Sequence, residues 1–230
     1  MSQPAAAQPE RFVAFDTETT GTDKKARLVS VAWNVYDGDG QLLESHLHVV
    51  RPYGYTIPAE TTRIHGYTTE RATAEGKPLV EVLTLLCETV SEYPDATFVA
   101  HNASFDYRMV EAEAARAKLW TFRKLWMRLK PEGRLFCTLR TYETPGPKGH
   151  NTLAAMYQRC TGQAMKDAHT ADADTAACAA IFFHHRPKRQ AAASAAAASA
   201  AAAPSTSKRK READEAADEA PAPKTTRAAM

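Results

Sequence analysis

The chain is short of the features that mark several protein classes. Its four cysteines, Cys87, Cys137, Cys160 and Cys178, form no CxxC pair. A chain of 230 residues is too long to need disulfide staples, so reduced thiols in an intracellular compartment are expected. Outside one alanine tract there is no run of about 18 apolar residues, which argues against a membrane span. The opening, MSQPAAAQPE, lacks a basic segment followed by an apolar one, so no secretory signal is expected. Net charge is only +2, and on its own that says little about partners.

What is present suits one substantial domain with a tail. The hydrophobic share is 44%, a globular value. Charge is unevenly placed. From Pro187 onward there are eight basic and five acidic residues, so positive charge gathers outside the expected body. Residues 1–10 read as a disordered leader, 11–186 as the folded body and 187–230 as a disordered tail. The tail begins near RPKR and runs into AAASAAAASAAAA at 191–203. That tract has helix propensity but no face with which to build a core, and it reads as a low-complexity linker. SKRKRE follows, with four consecutive basic residues at 208–211. Such a cluster serves as a nuclear import signal or as a nucleic-acid-binding arm. The chain is otherwise expected to be cytoplasmic and soluble.

The body opens with strand patterns. Arg11–Thr17, then 27–37, then 42–52 form three strands in meander order, with DGDGQ as a hairpin turn. Helical spacing appears at 78–93, where positions 79, 82, 83, 86 and 90 are apolar. ATFVAHN is a short apolar strand running into a helix at SFDYRMVEAEAARAK. RLFCTLRTYE reads as a fifth strand. NTLAAMYQRCTG reads as a helix ending at Gly162, and TADADTAACAAIFFHH as the last helix of the body. Strands followed by alternating strands and helices predict an α/β architecture, a mixed sheet flanked by helices.

One strand carries a puzzle. In FVAFDTETTG, Asp16 and Glu18 stand one residue apart, so they share a face of an extended strand. Two like charges this close raise each other's pKa, and a cation between them relieves the repulsion. An oxygen-only donor pair suits a hard divalent ion such as Mg²⁺ or Mn²⁺. Asp106 begins a helix just after the short apolar strand, with Asn102 in the turn before it. In AHTADADTAA, Thr170 is a candidate cap, which leaves His169 just outside the last helix and Asp174 one turn in. His169 and Asp174 do not share a face of an ideal helix, yet a loop histidine and a helix acid can converge on one site. Asp172 reads as a solvated rival acid. His101 and His150 read as structural or surface residues. Trp33, Trp120 and Trp126 read as core or packing aromatics.

Together, FDTETTG, HNASFD and HTADAD resemble the three motifs of the DEDDh family of 3′–5′ exonucleases, most of all the proofreading subunit of bacterial replicative DNA polymerases. IHGYT resembles a further segment of that family, with Tyr67 where isoleucine is usual. The resemblance spans about Arg11–Arg186. It implies an RNase H-like fold with a central five-stranded mixed sheet. It implies two metal ions, Mg²⁺ or Mn²⁺, held by Asp16, Glu18, Asp106 and Asp174, with His169 as general base. The imidazole's ordinary pKa suits proton abstraction from water, and paired ions stabilise both the attacking and the leaving oxygen. Glu18, Thr19, Glu60, His65 and Asn102 would line the pocket for the terminal nucleotide. The implied substrate is a single-stranded or frayed 3′ end, DNA favoured over RNA, and the implied partner is a DNA polymerase. An RNA-trimming relative and a non-catalytic binding module are the rival readings.

Overall fold

A computed structural model describes residues 10–166 and 168–201, with side chains through Arg186. Nearly all of the expected leader, and the basic cluster at 208–211, lie outside the described residues. The chain falls into two units, Met1–Gln190 and Ala191–Met230.

The sheet is built on its first strand. β1 (Arg11–Thr19) pairs antiparallel with β2 (Leu28–Asp37), which pairs antiparallel with β3 (Leu42–Val49). On its other side β1 pairs in parallel with β4 (Thr97–Ala100), and β4 with β5 (Leu135–Cys137). The order β3-β2-β1-β4-β5 makes the five-stranded mixed sheet that the sequence predicts. Asp37 shapes the β2–β3 hairpin by accepting from the Asp39 and Gln41 N–H groups, while Gly40 takes a φ of 84°.

Alternate residues of β1 enter two different cores. Val13 and Phe15 pack with helices α3 (Leu79–Glu92), α4 (Ala103–Arg116) and α5 (Trp120–Arg128), where Trp126 is fully buried. Phe12 and Ala14 pack on the opposite face against Cys178, Ala179 and Phe182 of the last helix, which runs Ala171–Ala201. Alanine's intrinsic preference carries this helix into the alanine tract. Between β3 and α3 lie two short helices, α1 (Ala59–His65) and α2 (Thr69–Glu75). Gly66 ends α1 in the left-handed conformation that favours glycine. Tyr67 then packs into a small cluster with Val29, Ile57 and Ala72.

The structure corrects the sequence reading in two places. The fifth strand stops at Cys137, and α6 (Thr138–Tyr142) follows at once. Cys137 Sγ caps that helix by accepting from the Arg140 N–H, and Thr138 is drawn inward onto the Ala100 carbonyl and the His101 ring. These local bonds outcompete extension of a strand. Trp120 is the second correction. It is 59% exposed, because it stands at the open first turn of α5, whereas Trp33 and Trp126 are fully buried. α7 (Leu153–Thr161) is capped by Thr152 and ends at Gly162, as expected; the helix over Ala171–Ala201 is α8. All four cysteines are free. Among the described residues no helix is long and apolar enough to cross a membrane.

One buried charge ties helix to sheet. Glu113 of α4 is fully buried. It accepts from Arg27 Nε at 2.7 Å, from the Leu28 N–H at 3.1 Å and from Arg116 at 3.0 Å. Arg116 also donates to the carbonyls of Ala26 and Lys24. The loop leaving β1 is thereby fixed against α4. Removing the carboxylate leaves two arginines and an N–H without their acceptor. Glu113→Ala is expected to lower the unfolding free energy by about 3 kcal/mol, and Glu113→Gln by less. Urea unfolding of the two variants checks this; a loss under about 1 kcal/mol in Glu113→Ala would show the network to be dispensable.

Candidate active site

The acids meet where the parallel strands end. β1 and β4 run side by side, and β1 is also the strand at which the sheet's pairing changes from parallel to antiparallel. Crevices at such places, beyond the carboxyl ends of strands, are the usual ligand sites of open α/β sheets. Asp16 and Glu18 occupy the last part of β1 on the face that meets α8. Asp174 comes from the first turn of α8. Their carboxylate oxygens lie within 4.8 Å of one another, and all three residues are half-buried.

Asp106 reaches the site from the first turn of α4, directly after β4, and is buried. It joins through Thr17. The Thr17 N–H donates to Asp106 Oδ1 at 3.1 Å, and the Thr17 hydroxyl donates to the same oxygen at 2.7 Å. Thr17 carried no expectation from sequence. Its role is set by strand parity, since its side chain faces the α4 side while its neighbours Asp16 and Glu18 face α8.

Both helices that deliver an acid begin with a sharp reversal. Asn102 (φ 64°) stands four residues before Asp106, and His169 (φ 70°) five before Asp174. Left-handed backbone is uncommon in residues other than glycine, with asparagine and histidine among its more frequent occupants. The His169 N–H donates to Asp174 Oδ1 at 3.1 Å, which fixes the loop onto the helix start. The histidine itself is exposed, beside the acids. Asp172 is exposed on α8, as expected.

Electrostatics mark the cluster as unsatisfied. Burial, and then the charges of Asp106, Asp174 and Glu18, hold Asp16 well above the ordinary carboxylate range. Burial, with Asp174 and Asp106, pushes Glu18 up to about 8. Burial raises Asp106 to about 7, even though the Thr17 bonds pull it down. Asp174 is also raised by burial, against the opposing influence of the His169 N–H. An all-oxygen donor set whose members repel one another fits hard divalent cations.

The residues expected to meet a terminal nucleotide divide. Thr19 continues β1 past Glu18, and its hydroxyl donates to the Gly21 carbonyl at 2.6 Å. His65 is buried with its ring beside the Thr19 backbone, and its Nδ1 accepts from the Tyr67 N–H. Asn102 makes no side-chain bond to its helix. Glu60 is exposed on α1 and faces Arg63 at 4.0 Å. Tyr67 packs, with the Arg71 guanidinium over its ring. His101 is structural, bonded to the Thr138 hydroxyl and the Asn151 carbonyl.

With this geometry in view, the chain belongs to the exonuclease family RNase_T, whose profile matches residues 13–182. Its RNase H-like fold, with an open five-stranded mixed sheet, is that of this exonuclease family. It is similar to the PolC-type DNA polymerase III of Thermotoga petrophila, at 30% identity over 110 residues, and of Streptococcus thermophilus, at 34% over 111 residues. Each match spans 48% of this chain and 8% or 7% of the relative, so the chain corresponds to a small part of those polymerases. Among solved structures it resembles E. coli exonuclease I in complex with a dT13 oligonucleotide (TM-score 0.61, 18% identity, 81% of this chain and 43% of that one). It also resembles exonuclease I from Methylocaldum szegediense (TM-score 0.57, 21% identity, 79% and 41%).

The raised carboxylates give a pH prediction. Unfolded, these groups titrate near pH 4; folded, Glu18 titrates near 8. Between those values the folded chain holds more protons, so without divalent ions its stability falls as pH rises from about 4 to about 8. Thermal melts in EDTA are expected to show Tm declining across that range. Added Mn²⁺ should raise Tm more at pH 8 than at pH 6, because the ion must displace protons at the lower pH. A flat EDTA profile would contradict the repulsion.

Proposed function

We propose that the chain is a metal-dependent 3′–5′ exonuclease that releases 5′-mononucleotides from single-stranded or frayed 3′ ends, with DNA favoured over RNA. The observation that carries this reading is the meeting of Asp16, Glu18 and Asp174 within 4.8 Å, with Asp106 joined through Thr17. In this reading Asp16, Glu18, Asp106 and Asp174 would hold two divalent ions, Mg²⁺ or Mn²⁺, which would supply counter-charge to the developing negative oxygens of a phosphodiester.

The chain's own residues do the rest. His169 takes a proton from the attacking water at a ring nitrogen, and its exposed loop position supports the small movement this requires. Asp174 holds the loop in place by accepting the main-chain N–H of His169. The bond to the 3′ oxygen of the preceding nucleotide breaks, leaving the phosphate on the released nucleotide. Thr19, Glu18, His65 and Asn102 line the place of the terminal nucleotide in this reading, with the His65 ring held beside the Thr19 backbone. Glu60, on the exposed side of α1, reaches substrate only at the rim. Similarity to PolC-type polymerases supports proofreading beside a DNA polymerase, and the dT13 complex of the structural relative supports a single-stranded DNA substrate. The nuclease body is assigned to residues 11–186.

The test is a time course on matched 5′-labelled DNA and RNA strands with Mg²⁺. The expected products are ladders shortened from the 3′ end and 5′-mononucleotides, with DNA degraded faster. Trimming of RNA alone would favour the exoribonuclease reading. Equal inactivity of wild type and Asp16→Ala on every 3′ end would favour a binding module. His169→Asn, which tolerates left-handed backbone, is expected to lose at least about a hundred-fold in turnover while keeping the Mn²⁺-induced rise in Tm. Unchanged turnover would remove His169 from the general-base role.

A further inference from the structure

A second cluster of metal-ligating side chains lies midway along α8. Cys160, in the last turn of α7, and His184 and His185 on α8 bring one ligand atom each within 4.8 Å of the others. Cys160 Sγ and His185 Nε2 stand 3.4 Å apart. The Tyr142 ring stacks on His185 at 4.2 Å, which fixes the imidazole plane. Beside the cluster is a cavity of about 240 Å³, also lined by Thr144, Met156 and Arg159.

We propose that Cys160, His184 and His185 form a binding site for a borderline-soft divalent ion of the Zn²⁺ class. Tetrahedral zinc with one thiolate and one imidazole places sulfur and nitrogen about 3.5 Å apart, which the Cys160–His185 pair already meets. His184 is exposed, so a rotamer change closes the remaining distance. The donor set separates this site from the acid cluster. Sulfur and nitrogen select zinc or cobalt, whereas four carboxylates select magnesium or manganese. Three protein ligands leave a fourth position, and the adjoining cavity has room for a water there. On binding, the Cys160 thiol gives up its proton to solvent, so affinity rises with pH. The bound ion would cross-link the end of α7 to α8. Those two helices flank the segment 162–170, which carries His169, so the ion would brace the loop that holds the general base.

Co²⁺ is the probe, because a thiolate-bound cobalt ion gives a near-ultraviolet charge-transfer absorption that carboxylate-bound cobalt lacks. The full chain, reduced and with Mg²⁺ in excess, is titrated with Co²⁺. The expected result is a band that saturates as a single site and is displaced by Zn²⁺. It should vanish in Cys160→Ser and persist in Asp16→Ala. His184→Ala and His185→Ala should each weaken Co²⁺ at least roughly ten-fold, with melting in EDTA showing that each variant is folded. Absence of the band in wild type would overturn the proposal. So would a band surviving in Cys160→Ser, which would assign it to another thiol, or Co²⁺ affinity unchanged in both histidine variants.

Discussion

Negative charges crowded at the end of a buried strand cannot all be ionised without a counter-charge. That constraint organises the molecule. β1 is the central strand because it must carry two acids to the edge of the sheet while its apolar half is buried on both faces. β4 must lie parallel to it, so that the turn after β4 delivers Asp106 to the same edge. α8 must cross the opposite face, so that its first turn delivers Asp174. Thr17 stitches the two faces together by donating twice to Asp106. Removing the repulsion would leave a more stable protein with nothing to attract a cation.

Much of this was legible in the sequence, and the reasons are local. The alternation in FVAFDTETTG gives the strand and the shared face of its acids. The three-strand meander follows from β-branched runs and an Asp-Gly turn, and the acid after each later element follows from spacing. Other features depended on tertiary contacts. LFC looks like the start of a longer strand, but a cysteine cap and a buried threonine bend it into a helix. Trp120 shares its composition with the buried tryptophans, and only its place on α5 exposes it. Glu113 reads as one more acid on an acidic helix; its burial depends on Arg27, 86 residues away in sequence, together with Arg116 one turn along α4. The same holds for Cys160 and the His184–His185 pair, which share no motif spacing and are joined by how α7 meets α8.

The two donor clusters illustrate how donor chemistry partitions cations. At one end of α8, oxygen donors repel each other and are raised toward neutrality. Midway along it, a thiol and two imidazoles carry no such mutual repulsion, and stacking on Tyr142 positions the His185 ring. A single helix thus presents hard ligands at its start and soft ligands further along.

The reversals at Asn102 and His169 have an evolutionary consequence. Each sets the rotational phase of the helix that follows, and one residue of phase is about 100° of rotation. A point change at either residue alters backbone strain by about 1–2 kcal/mol and leaves the count of residues to the acid intact. A single-residue insertion or deletion between Asn102 and Asp106, or between His169 and Asp174, would set the reversal against the packing of the helix that follows, because the acid and the buried face of that helix turn together. Length is therefore constrained in these two short segments in addition to the identity of the side chains that bound them.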